Sequence, residues 1–220
     1  MSGATQVEAR TGARPIAVSK AALLGQVMFL VAVAIGFLAV GSVVGRDLSP
    51  GAALACSLGA LGMLFIQAFG GTRFRVGSFA IGWLFAVGLV IGLGLGPVLA
   101  HYTAADSSAV TEAAGITALI VAAMGFAGLA ISKDLARWLR PLTFAVFALV
   151  LVSLVLVLFG SGGSPLLSVA IGGISAVLIL VDFNFLRRHG TEEDVVFLAT
   201  GIFVSIVNIF LSLLNLFSSE

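Results

Sequence analysis

The sequence predicts an all-α, polytopic membrane protein with seven transmembrane helices. Three observations carry that reading. Of the 220 residues, 60% are hydrophobic and only 10% are charged. The apolar residues gather into seven continuous stretches, and the basic residues sit at every second break between them. A typical soluble domain is about 25% charged. At a mean hydropathy of +1.21 a soluble globule of this size has more apolar surface than it can bury, so a bilayer is the natural solvent. Disordered chains have the opposite composition. A net charge of +1 gives no basic field that would point to nucleic acid. Cys56 is the single cysteine, so an internal disulfide is impossible.

The stretches run over roughly 21–44, 51–70, 78–101, 110–131, 141–159, 166–186 and 195–217. Each is long enough to cross a ~30 Å hydrocarbon core as a helix. Helices are expected because backbone groups in lipid must be satisfied internally. A barrel would show alternating polarity in ~10-residue pieces, which these runs lack. The breaks carry turn chemistry: Gly45-Arg46-Asp47-Leu48-Ser49-Pro50 ends the first span, and a Gly/Ser/Pro run over 160–165 divides the fifth from the sixth. The chain thus divides into a tail at 1–20, a seven-helix transmembrane domain at 21–217 and a short end at 218–220.

Charge then orients the bundle. Arg10, Arg14 and Lys20 lie before the first span, and Arg73 and Arg75 in the second loop. Lys133, Arg137 and Arg140 lie in the fourth, and Arg187 and Arg188 in the sixth. All ten fall on one side of a seven-span chain, and only Arg46 on the other. The positive-inside rule makes the N-terminus cytoplasmic and the C-terminal end external in a multi-pass membrane protein. The first apolar run is long and has no clear small-residue cleavage site, so it reads as a retained span.

Several chemistries are missing. The lysines, Lys20 and Lys133, both lie in cytoplasmic segments, so no buried lysine is available for a retinal Schiff base. His101 and His189 sit at the edges of spans, away from any buried serine that needs a base. No His-Glu-x-x-His helix and no phosphate-binding glycine-lysine loop occurs, and Gly94-Leu95-Gly96 lacks the strand and acidic partner of a dinucleotide fingerprint. The expectation is a protein that is not an enzyme, with no cofactor and no resident metal.

What remains is a set of small and polar residues inside the spans. Gly88, Gly92 and Gly96 repeat at spacing four in the third span, followed by Pro97. Ser168, Gly172 and Ala176 repeat likewise in the sixth. Such faces let helix backbones approach closely; a hinge near Pro97, which lacks an N–H, is the alternative. In the seventh span Ser205, Asn208, Ser212 and Asn215 share one helical face. A polar seam is costly against lipid, so it should face the bundle interior, as interhelical hydrogen bonds or as the wall of a polar pathway. Asp182, in the sixth span, is a carboxylate well inside an apolar run. It reads either as an interfacial group touching water or an arginine, or as an ion- or proton-binding group near Ser205 and Asn208. Glu112 sits in the first turn of the fourth span, where the helix dipole favours it.

These residues resemble the Bax inhibitor-1 family, also called the transmembrane Bax inhibitor motif family, in its bacterial type. The resemblance rests on Gly94-Leu95-Gly96-Pro97-Val98-Leu99 with Tyr102, on Lys133-Asp134-Leu135, on Asp182, on Glu192-Glu193-Asp194, and on the run from Ser205 to Leu214, Ser-Ile-Val-Asn-Ile-Phe-Leu-Ser-Leu-Leu. It implies a bundle whose seventh helix is central, and a pH-sensitive calcium leak in which aspartates on the sixth and seventh spans act as a pair. Here the seventh-span position is Ser205, so that acidic dyad is incomplete. Two close carboxylates split their titrations, and one beside a hydroxyl does not; divalent affinity falls with one fewer negative ligand. Two functions therefore stand open: a cation leak with Asp182, Ser205, Asn208 and Ser212 on its path, with calcium as the ion; or a non-transporting regulator that binds a membrane protease or another membrane complex, a role associated with some bacterial relatives.

Overall fold

Ser19 and Ser49 start the first two helices by the same chemistry. In this computed structural model, which describes residues 19–105, 107–159 and 164–217, the Ser19 hydroxyl accepts from the Ala22 N–H and that of Ser49 from the Ala52 N–H. Both cap a helix N-terminus. The tail with Arg10 and Arg14, the 160–163 turn and the 218–220 end lie outside the described residues. The helices are α1 (Lys20–Gly45), α2 (Pro50–Phe69), α3 (Ser78–Ala105), α4 (Ser107–Ala130), α5 (Ala136–Leu158), α6 (Pro165–Arg188) and α7 (Val195–Phe217). Pro50 and Pro165 open α2 and α6, where a missing N–H costs nothing. Among the described residues seven helices are long and apolar enough to cross a membrane.

Two boundaries differ from the sequence expectation for identifiable reasons. α5 starts at Ala136, not near 141, because Asp134 Oδ1 accepts from the Ala136 N–H at 2.9 Å and caps the helix more than a turn before Pro141. Arg137, Trp138 and Arg140 are therefore helical. α3 continues past His101 and Tyr102 to Ala105, and α4 begins almost at once at Ser107.

α1 and α3 pack against each other at backbone distance. A Cβ added at Gly88 would meet the Ala34 carbonyl oxygen at 2.7 Å; one at Gly92 would collide with the Leu38 carbonyl, and one at Gly96 with the backbone of Gly45 and Arg46. From the other side Gly41 and Gly45 abut the backbone of Leu89 and Leu93. Residue numbers rise together along both helices, so α1 and α3 run parallel, as alternate spans of a seven-span chain must. Pro97 follows in the same helix, half-buried. α2 packs on α3, and α5 chiefly on α6.

α7 is the innermost helix. It packs against α6 along its length and also meets α1, α3 and α4. Its most apolar window is 61% buried, against 6% for α5. Leu198, Ile202 and Phe203 on α7 meet Leu84 and Val87 of α3, Val27 and Val31 of α1 and Ile179 of α6 in the apolar core.

Candidate functional site

The antiparallel α6–α7 pair carries most of the buried polar groups. Near the end of the bundle that holds the α6–α7 turn, Asp182 is 4% exposed and its carboxylate rests against Gly201: a Cβ there would meet Oδ2 at 3.3 Å. At the far end Ser168 Oγ and Asn215 Oδ1 are hydrogen-bonded at 3.2 Å. One turn inward, Gly172 lies against Ser212, where a Cβ would meet the Ser212 Oγ at 3.2 Å. Two turns along each helix from the Ser168–Asn215 pair, the same register brings Ser175 and Asn208 to one level. Both carry a buried polar atom with no partner among the described residues, Ser175 Oγ and Asn208 Nδ2. Ser205 and Ser212 are buried as well. The seam of Ser205, Asn208, Ser212 and Asn215 thus lies in the interior and faces matching polar or small positions on α6.

Asp182 meets α7 at Gly201, one turn before Ser205 on the same helical face. The connection between the helices is short, only His189 to Thr191 and a 3-10 turn over Glu192–Asp194. A residue near the end of α6 therefore meets the beginning of α7, one turn before Ser205. Gly201 opens that space because it has no side chain to fill it. Among the described residues no hydrogen bond or ion pair reaches the Asp182 carboxylate. No group of three His, Cys, Asp or Glu residues is placed to hold a metal there or elsewhere among them.

Two residues acquire roles that the sequence did not reveal. Gln67 of α2 is buried, and its Nε2 donates to Thr200 Oγ1 at 2.9 Å, while Oε1 has no partner among the described residues. Thr200 also donates to the Val196 carbonyl at 2.9 Å, so α2 is tied to α7 at the level of Gly201. Asn184, fully buried, clamps the turn between α4 and α5: Nδ2 donates to the carbonyls of Gly128, Ile131 and Lys133, and Oδ1 accepts from the Leu135 N–H at 3.1 Å. Arg187 donates to the Ile131 carbonyl at 2.5 Å, and Arg188 to that of Ser132. These cations meet carbonyls left free at the C-terminus of α4, the end its dipole makes negative. His189 Nε2 lies 2.8 Å from Asp134 Oδ2. The N–H of Ala136 and then His189 hold the Asp134 carboxyl below its ordinary 3.8. Distance along the sequence hid these contacts: the partners of Asn184, Arg187, Arg188 and His189 lie 49–56 residues away, and that of Gln67 lies 133 away.

Seven apolar helices around an interior carboxylate and polar seam define a multi-pass membrane protein. The profile of the family described as "Inhibitor of apoptosis-promoting Bax1" matches residues 20–220, and the chain belongs to that Bax inhibitor-1 family. It is also similar to two curated proteins of Helicobacter pylori, from strains J99 and 26695, both named "Uncharacterized protein". Each is 28% identical over 137 residues, 60% of this chain and 58% of the relative. The chain thus spans little more than half the length of the curated relatives it matches.

Proposed function

We propose that the protein is a weak cation leak whose path follows the α6–α7 seam, with Asp182 as its internal negative charge and Ser205, Asn208 and Ser212 along its wall. The observation that supports this is the ladder of polar groups from Asp182 and Gly201 to Ser168 and Asn215, with unpartnered atoms at Ser175 and Asn208 midway. Unpartnered buried groups are costly unless water or an ion meets them. From Asp182 back to Ser168 the ladder rises about 21 Å along α6, most of a ~30 Å hydrocarbon core. The N-terminus and the basic end face the cytoplasm, and the membrane is the inner membrane of a bacterial cell. No catalytic role is assigned.

Calcium is the ion to test first, and its flux is low because one carboxylate supplies fewer hard oxygen ligands than two. The test compares dye-reported calcium flux into liposomes for the native chain, Asp182→Asn and Ser205→Asp across pH 5–8. The native flux is small, Asp182→Asn lowers it and removes its pH dependence, and Ser205→Asp raises it. If all three match protein-free liposomes, the leak is abandoned for the regulator that binds a membrane protease or other membrane complex. If native flux survives Asp182→Asn unchanged, Asp182 is not its acidic group.

A further inference from the structure

A crevice of about 140 Å³ opens between α1, α4 and α6 at the basic end of the bundle, lined by Lys20, Ala21, Leu24, Leu129, Leu186 and Arg187. Its wall is almost wholly apolar, and Lys20 and Arg187 contribute to it chiefly through the carbons of their side chains. Lys20 Nζ donates to the Gly190 carbonyl at 2.6 Å, which uses one of three N–H donors. Arg187 donates from Nη2 to the Ile131 carbonyl, and its Nε is buried with no partner among the described residues. Neither cation has a protein counter-ion: among the described residues the ion pairs are Arg46–Asp47 and His189–Asp134. Asp194, close by in sequence, is turned to Thr191.

Two cations with no carboxylate partner among the described residues, on side chains that line an apolar slot at the end of three membrane helices, match one chemistry. The geometry points to a binding site for an anionic phospholipid of the surrounding bilayer. Its phosphate lies across Lys20 and Arg187, and the upper part of an acyl chain lies on Leu24, Leu129 and Leu186. Guanidinium and ammonium groups bind phosphate by charge-assisted hydrogen bonds, and basic pockets between spans hold anionic headgroups. The lipid would bridge α1 to α6, alongside the Lys20–Gly190 bond that ties the start of α1 to the turn after α6.

The test uses the full chain purified in a neutral detergent. Binding is read by native mass spectrometry and by thermal shift with phosphatidylglycerol, phosphatidylcholine or inorganic phosphate. Phosphatidylglycerol should bind and raise the melting temperature, and the other two should not. Lys20→Gln should weaken binding about fivefold, the effect of one basic residue at an anionic surface. Leu24→Trp fills the slot but leaves both cations, and should also weaken binding. That variant decides the matter if Lys20→Gln does not fold. Equal binding of phosphatidylcholine, an equal shift from phosphate alone, or undiminished binding to Leu24→Trp would each overturn the assignment.

Discussion

Adding one methyl group at Gly92 should destabilise the protein, whereas the same change at Gly82, in the same helix, should not. At Gly92 the new Cβ runs into the Leu38 carbonyl oxygen of α1, with Leu38 C and Ser42 N both at 2.9 Å. Ordinary contact begins near 3.4 Å. All three atoms are backbone, so no rotamer change relieves the clash and α1 as a whole must move. Overpacking of this kind costs about 1–3 kcal/mol, and movement of a helix places it at the upper end. Alanine returns up to about 1 kcal/mol through helix propensity, leaving a net loss of about 1–2 kcal/mol. At Gly82 a Cβ meets nothing within 4 Å, so only the propensity gain remains and the sign reverses. At about 2–4 °C per kcal/mol for a chain of this size, the two variants should differ by several degrees in a detergent melting assay read by size-exclusion recovery. If Gly92→Ala melts with or above Gly82→Ala, the backbone contact between α1 and α3 is not the constraint described here.

Asn184→Ala removes hydrogen bonds to three carbonyls and one N–H; it should cost about 2–3 kcal/mol and speed hydrogen exchange at 131–136, and unchanged exchange would count against the clamp. Asp134 has a lowered folded pKa, so its contribution is present above the ordinary value of 3.8 and is lost as pH falls through the folded value below it. Native and Asp134→Asn melting curves should therefore converge only in that acid range. A C-terminal reporter that fluoresces only in the cytoplasm should stay dark, given ten basic residues on the opposite side; strong fluorescence would break the proposed orientation.

The spans were legible because each is a continuous apolar run bounded by charged, polar or turn-forming residues. The start of α5 was not, because Pro141 looks like a helix opener while the actual cap is Asp134, in a segment that reads as loop. The polar face of α7 was visible from its spacing, and so was its inward direction, since lipid excludes such a face. The register against α6 was not visible. It is set by the short turn after Arg188, and the residue that receives Asp182 is a glycine, which carries no polar signal. Asn184 and Gln67 were equally silent, because their partners lie 49–56 and 133 residues away.

The parallel pairing of α1 with α3 also sets an order of events during synthesis. α1 enters the bilayer first, yet the surface complementary to Gly41 and Gly45 belongs to the third span, and α2 packs on α3. About 60 residues separate the end of α1 from the end of α3, which at 5–20 residues per second is roughly 3–12 s of translation. During that interval the glycine face of α1 is open to lipid or to whatever escorts nascent membrane helices. A ribosome stalled after the second span would leave a chain with an unmated helix face, a natural mark for degradation.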